Sequence, residues 1–260
     1  MHRYFIQLAY NGKDFHGWQI QPNAATVQQT LNDALSLLLS HTINVVGAGR
    51  TDTGVHASFF VAHFDLETPV NDTEKLAYKL NKILPVSIRI DKIFEVDETM
   101  HARFGALSRT YHYFFSLKKE PFLNDFTTFM PYDLDVGKMN AASAILLKHS
   151  DFTSFSKLHT DVKTNNCVID KAEWVKRNDM LIFEVKADRF LRNMVRALVG
   201  TLVLVGRNKI STSEFEEIIL KKDRGAAGAS AKAGGLFLSQ IEYPDEIQKQ
   251  FVKTSFLCNF

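Results

Sequence analysis

The chain has 260 residues, 45% of them hydrophobic, with a formal net charge of +2 and two cysteines. That is enough to bury a sizeable core as one large domain or two halves. No run of about 18 apolar residues is present, and the N-terminus opens on a strand-like pattern rather than a charged, apolar signal, so a soluble cytoplasmic protein without a membrane partner is expected. Cys167 and Cys258 make no metal spacing and are expected as free thiols.

In chain order, Arg3 to Tyr10 reads as a strand closed by the Asn11-Gly12 turn signal, followed by an aromatic polar loop from Phe15 to Gln21 in which Trp18 packs over the core edge. Thr26 and Gln29 form a capping-box pattern, and Val27, Leu31, Ala34, Leu35 and Leu38 continue at helical spacing to about Ser40. Ile43 to Val46 and Ser58 to Phe64 read as two strands. Asp72 then opens a helix on Leu76, Ala77, Leu80 and Ile83 that Pro85 stops, and Val86 to Val96 is a further strand. The first hundred residues thus spell β-α-β-β-α-β, the ferredoxin-like order.

The same order can be read again: a strand at Phe104 to Leu117, a helix at Val136 to Lys148, strands at Cys167 to Lys176 and Leu181 to Lys186 turning at Asn178-Asp179, a helix at Phe190 to Val205, and a strand at Leu236 to Ile241. Three segments interrupt it: a loop from Pro121 to Asp135, a Ser/Thr/Asn-rich stretch from Ser150 to Asn166, and a helix from Ser211 to Lys222 opened by the Ser211 and Glu214 capping pair. Asp223 to Gly235, with four glycines and five alanines, reads as a flexible crossing. The division expected is 1–103, 104–242 and a tail at 243–260.

A net charge of +2 does not announce a nucleic-acid protein, so charge placement has to carry any such reading. His101 to Lys119 holds Arg103, Arg109, Lys118 and Lys119 interleaved with Phe104, Tyr111, Tyr113 and Phe114, and Lys186 to Arg207 holds five cations against Asp188 alone. Basic runs are usually solvated faces beside a core; interleaved aromatics also fit base stacking with phosphate neutralisation. On a helix begun at Phe190, Leu191, Met194, Val195, Leu198, Val199 and Leu202 share a core side. Arg189, Arg192 and Arg196 fall within roughly 60° of one another opposite it.

The densest polar chemistry is Gly47-Ala48-Gly49-Arg50-Thr51-Asp52-Thr53-Gly54-Val55-His56-Ala57, set between two apolar runs. Its glycines permit tight turning and close approach of a ligand, and an Arg50 that reached Asp52 would keep the carboxylate ionised and oriented. A dinucleotide fingerprint and a phosphate-cradling loop both fail on residue type. Asp52-Thr53-Gly54 matches the aspartic protease signature, but that mechanism shares a proton between two such carboxylates and the chain has one copy. From those three residues alone the reading is a tight turn with Asp52 capping backbone amides.

Over the longer string, Arg50 to Ala57 resembles the catalytic loop of the TruA family of tRNA pseudouridine synthases. The resemblance extends in family order to Phe15-His16-Gly17-Trp18-Gln19 with Gln21, Thr26-Val27-Gln28, Arg109-Thr110-Tyr111-His112-Tyr113, and Phe190 to Arg196 with Val199-Gly200. It implies an α+β pseudouridine synthase fold, two ferredoxin-like (RRM-like) halves merging into a central, mostly antiparallel sheet, with helices on one face and an active cleft across the other. It departs from the family between Asp223 and Gly235, where members usually carry prolines.

The resemblance further implies isomerisation of uridine to pseudouridine in the tRNA anticodon stem-loop, at tRNA positions 38, 39 and 40, by a homodimer with no cofactor and no metal. Asp52 would be the catalytic carboxylate, Tyr111 would stack on the uracil, and Arg196 would hold Asp52 charged. Arg50 and Arg109 would bind phosphates or orient the loop, Arg189 and Arg192 would meet phosphates, and His56 stands beside them as a loop hydrogen-bonder. A non-catalytic RNA-binding module and an aspartic protease are the rival classes. The first lacks the RRM aromatic signature here, and the second lacks its second carboxylate motif.

Overall fold

The computed structural model describes residues 1–157 and 164–253. The middle of the Ser150 to Asn166 stretch, Cys258 and the end of the tail lie outside them. The described residues divide into two compact units, 1–107 with 238–253, and 108–157 with 164–237.

The first unit is an α+β sandwich built on β1 (His2–Tyr10), α1 (Val27–Leu39), β2 (Val46–Gly47), β3 (His56–Leu66), α2 (Thr73–Ile83) and β4 (Ile88–Val96). Its strands run antiparallel in the order β4-β1-β3, the ferredoxin-like arrangement, with Tyr4 opposite Phe64 and Phe5 opposite Phe94. Both helices start where their caps are written. Thr26 accepts from the Gln29 amide and Asp72 from the Lys75 amide. The capping box at Thr26 is only half made, because the Gln29 side chain turns to Asp33 instead.

The predicted strand at Ile43 to Val46 shrinks to Val46–Gly47. The reason is local: the Ser36 hydroxyl accepts the Ile43 amide at 2.8 Å and the Asn32 side chain accepts the Val45 amide at 2.9 Å. Side chains of α1 thus satisfy backbone donors that a ladder would otherwise take. The register then matters. Gly47 pairs with Ala62, not with the start of β3, so the loop from Ala48 to Val55 lies alongside the first turns of a strand that is buried almost throughout.

His63 of β3 is buried, accepts the Ala102 amide on Nδ1 at 3.2 Å, and meets the His101 ring edge-on at 4.6 Å. Burial first, then the neighbouring His101 and Arg3, push its pKa down to about 4. Arg3 is itself held by a two-pronged ion pair with Asp65.

The second unit holds β5 (Ser108–Ser116), β6 (Thr128–Phe129), α3 (Val136–Leu146), β7 (Ile169–Arg177), β8 (Met180–Ala187), α4 (Met194–Gly206) and α5 (Thr212–Lys221). β8 lies antiparallel between β5 and β7, and β6 adds a short parallel pairing to β5. β9 (Leu236–Glu242) begins in this unit and from Leu238 onward lies beside β3 in the first; α6 (Asp245–Gln248) follows it. The β7–β8 hairpin turns at Asn178-Asp179 as expected, with Asn178 left-handed at φ 51°. The Ser211–Glu214 capping box of α5 is complete.

Two boundaries move by four residues. β5 starts at Ser108, four residues later than predicted, and Phe104 sits exposed with its ring 4.4 Å from that of His101. More consequentially, α4 starts at Met194 rather than Phe190. Asn193 adopts φ 66° there, a left-handed conformation that a continuing α-helix excludes. The wheel that placed Arg189, Arg192 and Arg196 on one helical ridge therefore does not exist. Only Arg196 is helical, Arg192 lies in an exposed turn, and Arg189 lies in the irregular lead-in between β8 and α4. The predicted core side holds: Leu191, Met194, Val195, Leu198, Val199 and Leu202 are all buried.

Candidate active site

In the first unit, the loop bearing Asp52 is held from the aromatic loop Phe15 to Gln21. The first amides of α1 have no helical partner of their own. Val27 and Gln28 donate theirs to the carbonyls of Gly17 (3.3 Å) and Trp18 (3.0 Å). Trp18 is 2% exposed and stacks on Phe60 at 4.2 Å, an aromatic contact worth about 1 kcal/mol beyond burial. So anchored, the Trp18 amide donates to the Thr51 carbonyl at 3.3 Å. The Thr51 hydroxyl lies 2.9 Å from that of Tyr10, and both residues are buried.

Downstream of Asp52, the Gly54 amide donates to Phe15 O at 3.2 Å and the Val55 amide to Asp52 O at 3.1 Å. His56, 1% exposed, accepts the Gly12 amide on Nδ1 at 3.0 Å. That bond places any proton of the neutral ring on Nε2 and makes His56 a hydrogen-bonder of the loop. Asp52 itself is half-buried, while Arg50 is exposed and makes no ion pair with Asp52 among the described residues. The backbone on either side of Asp52 is thus anchored to the aromatic loop, through Trp18 to Thr51 and through Phe15 to Gly54.

The glycine that matters most for this loop stands outside it. Gly17 has φ +87°, and a Cβ there would sit 2.3 Å from the Thr51 carbonyl oxygen. Of the three loop glycines, Gly47 packs under the Trp18 ring and Gly54 has φ 76°, whereas Gly49 faces open space.

In the second unit, β5 places Arg109 and Tyr111 two residues apart, hence on one face. Arg109 Nη1 donates to the Asp188 carbonyl at 2.8 Å, and the Tyr111 ring meets Phe190 edge-on at 5.1 Å. The segment between β8 and α4 is fixed by the Asp188 carboxylate, which accepts the amides of Val168 (2.8 Å) and Arg189 (2.7 Å). The structure thus brings Arg109, Tyr111 and the Asp188–Phe190 segment together. The exposed Arg192 side chain is not part of that group, although its backbone carbonyl accepts the Lys157 amide.

Arg196, in the first turn of α4, donates Nε to the Ala231 carbonyl at 2.7 Å while its own carbonyl accepts the Ala231 amide at 2.9 Å. Fixing an arginine costs about 2 kcal/mol of rotamer freedom, and a charge-assisted hydrogen bond returns about as much, so the acceptor must itself be rigid for the orientation to hold. Next to it, the buried Tyr113 hydroxyl donates to Lys232 O at 2.9 Å and lies 2.8 Å from Thr128 Oγ1. Burial pushes the Tyr113 pKa up to about 12, against smaller opposing effects from Thr128 and the Arg196 charge. Tyr113 is therefore a neutral structural hydroxyl.

Sequence reasoning passed over Tyr10, Gly12, Asn193 and Ala231. Gly12 carried a turn signal without a site role, and Asn193 a helix-start signal, being a capping residue type immediately before an apolar helical run.

The sequence matches a known family over most of its length. The family described as tRNA pseudouridine synthase fits residues 7–105 and 142–244. The chain belongs to this tRNA pseudouridine synthase family. Asp52 falls within the first matched span and Arg196 within the second, while Arg109 and Tyr111 lie between them.

The tRNA pseudouridine synthase A of Parabacteroides distasonis is 52% identical over 247 residues, 95% of this chain and 98% of its own. That of Bacteroides thetaiotaomicron is 50% identical over 260 residues, 99% and 96% of the two chains. A more distant namesake from Francisella tularensis subsp. novicida is 36% identical over 258 residues, 97% and 99%. Membership of the pseudouridine synthase family makes the chain an isomerase, and the reaction class is conversion of uridine to pseudouridine in tRNA. Among the described residues no helix is long and apolar enough to cross a membrane.

Proposed function

We propose that this isomerase acts on the tRNA anticodon stem-loop, at tRNA positions 38, 39 and 40, with Asp52 as the catalytic carboxylate and no cofactor. The observation that carries the reading is the clamped loop: Asp52 sits between Thr51 and Gly54, each tied to the aromatic loop. The backbone that carries the carboxylate is thus pre-organised, and pre-organisation is what separates a reacting group from a surface acid.

The reaction breaks the C1′–N1 bond of the uridine, turns the uracil and joins C1′ to C5; the C5 proton leaves and N1 gains one, so atoms balance without an added reagent. Asp52 serves this either by attacking C1′ or by taking the 2′ proton. The target base must leave its stack, and an aromatic face compensates that loss. Tyr111 is assigned that role, because its edge-on contact with Phe190 fixes the ring plane. Arg196 is assigned as the catalytic arginine, and Arg109, Arg189, Arg192, Arg50 and His56 as the residues that bind RNA or support its loop. A homodimer acting in the cytoplasm completes the proposal.

The test is to incubate the purified protein, without added metal or cofactor, with unmodified tRNA and to map pseudouridine, with Asp52→Ala in parallel. Product confined to the anticodon arm and absent with the variant supports the reading. Product elsewhere in the tRNA, or product made by the variant, overturns it.

A further inference from the structure

The segment from Asp223 to Gly235 contains no proline and is rich in glycine and alanine, a composition with little stiffness of its own. It is nonetheless held at almost every residue. Asp223 donates its amide to the Ser154 hydroxyl at 3.0 Å, and Gly228 donates its amide to the Thr201 hydroxyl on α4 at 3.0 Å. The Arg224 guanidinium folds back onto the carbonyls of Ala227 (3.4 Å) and Gly228 (3.2 Å) and the Ser230 hydroxyl (3.0 Å).

Ser230 Oγ accepts a second bond, from Asn193 Nδ2 at 2.7 Å. Both acceptor positions of one hydroxyl are thereby filled, one from the strap itself and one from the residue that starts α4. The strap also lies in direct contact with the helix: a Cβ on Gly200 would sit 1.8 Å from the Ala229 carbonyl oxygen. Immediately after Ser230 comes Ala231, whose carbonyl and amide bracket Arg196.

We propose that Ser230 and Arg224 are positioning residues for the reaction: with Asn193 they pin the strap so that the Ala231 carbonyl holds the Arg196 guanidinium in one orientation. The proposal rests on the assignment of Arg196 as the catalytic arginine. Neither residue needs to touch the tRNA. Their effect is transmitted through one backbone carbonyl, and a guanidinium displaced by as little as an ångström is enough to slow chemistry severely.

The experiment measures single-turnover rate and tRNA Kd separately for Ser230→Ala, Arg224→Gln and Ser230→Thr, alone and in an Arg196→Lys background. Ser230→Ala and Arg224→Gln are expected to slow the chemical step about tenfold while tRNA Kd stays within about twofold. Ser230→Thr keeps the hydroxyl and should stay within about twofold of the parent rate. In the Arg196→Lys background, Ser230→Ala should cost nothing further, because its effect runs through the missing guanidinium.

Parent rates for both strap variants, a full penalty persisting in the Arg196→Lys background, or a rate loss matched by an equal loss of tRNA affinity each overturn the proposal. Should Arg196→Lys alone turn over at the parent rate, it is the assignment of Arg196 that fails, and the strap proposal falls with it. Slow Arg196→Lys with unimpaired strap variants rejects the strap and leaves the catalytic arginine standing.

Discussion

The hydroxyl of Tyr10, at the end of β1, lies 2.9 Å from that of Thr51, the residue before the proposed catalytic carboxylate. A strand of the core thus reaches the Asp52 loop through a buried polar contact. Tyr10→Phe removes it without changing shape and is expected to lower stability by about 1 kcal/mol, with turnover falling by a few fold at most. A urea midpoint together with a single-turnover rate checks both. An unchanged midpoint would show that the contact holds nothing.

Gly17→Ala should be worse. The added methyl would meet the Thr51 carbonyl oxygen at 2.3 Å in a backbone held at φ +87°, so strain of about 1 to 3 kcal/mol adds to displacement of the loop. The variant should melt lower than Tyr10→Phe and turn over more slowly. Parental behaviour in both would mean that the two loops separate at little cost.

Asp52→Asn keeps the size of the side chain and removes its charge. Turnover should disappear while tRNA Kd stays within about threefold, the pattern of a group needed in the transition state and not for binding. Filter binding alongside product mapping separates the two. Measurable turnover would reject Asp52 as the catalytic carboxylate.

Arg192 stands exposed on the turn before α4, where an arginine can meet a phosphate without rearranging the core. Arg192→Ala should weaken tRNA binding and reduce the slope of log Kd against log salt by about 1. A slope equal to the parent's would remove Arg192 from the interface.

The buried His63 makes stability depend on pH. Its pKa is about 4 in the fold against the usual 6.5, so between these values the unfolded chain binds a proton that the folded chain does not. Its neutral form therefore contributes stability that is fully present above about pH 6.5 and is lost as pH falls toward 4, a decline of about 3 kcal/mol in all. His63→Asn offers the Ala102 amide an acceptor that does not titrate. Urea titrations at several pH values should show a flatter slope for the variant in that window. Equal slopes would assign the acid sensitivity to other groups.

Elements whose ends are written in one side chain and the nearest amides were legible before any coordinates. Thr26, Asp72 and the Ser211–Glu214 pair mark their helices to the residue, because a cap is chemistry between neighbours. The loop around Asp52 was legible for a different reason, as a long string of unusual residues. What was hidden depends on partners distant in sequence. Ile43 to Val45 has the composition of a strand, yet Asn32 and Ser36 take its amides. The apolar run into α4 concealed the left-handed turn at Asn193, since hydrophobic periodicity does not register a single residue of reversed handedness. The segment from Asp223 to Gly235 has a composition that suggests flexibility, and its bonds to Asn193, Arg196, Thr201, Ser154 and Tyr113 show otherwise.

Gly200 offers no functional group at all, yet the absence of its side chain lets the Ala229 carbonyl lie against α4. A library screened for chains that still fold but no longer modify RNA should therefore collect substitutions at this position, one helical turn beyond Arg196 on α4. A survey of catalytic side chains would overlook it. The vulnerability of this enzyme to mutation includes a place defined by empty volume, where gaining a methyl group does the damage that elsewhere requires losing a charge.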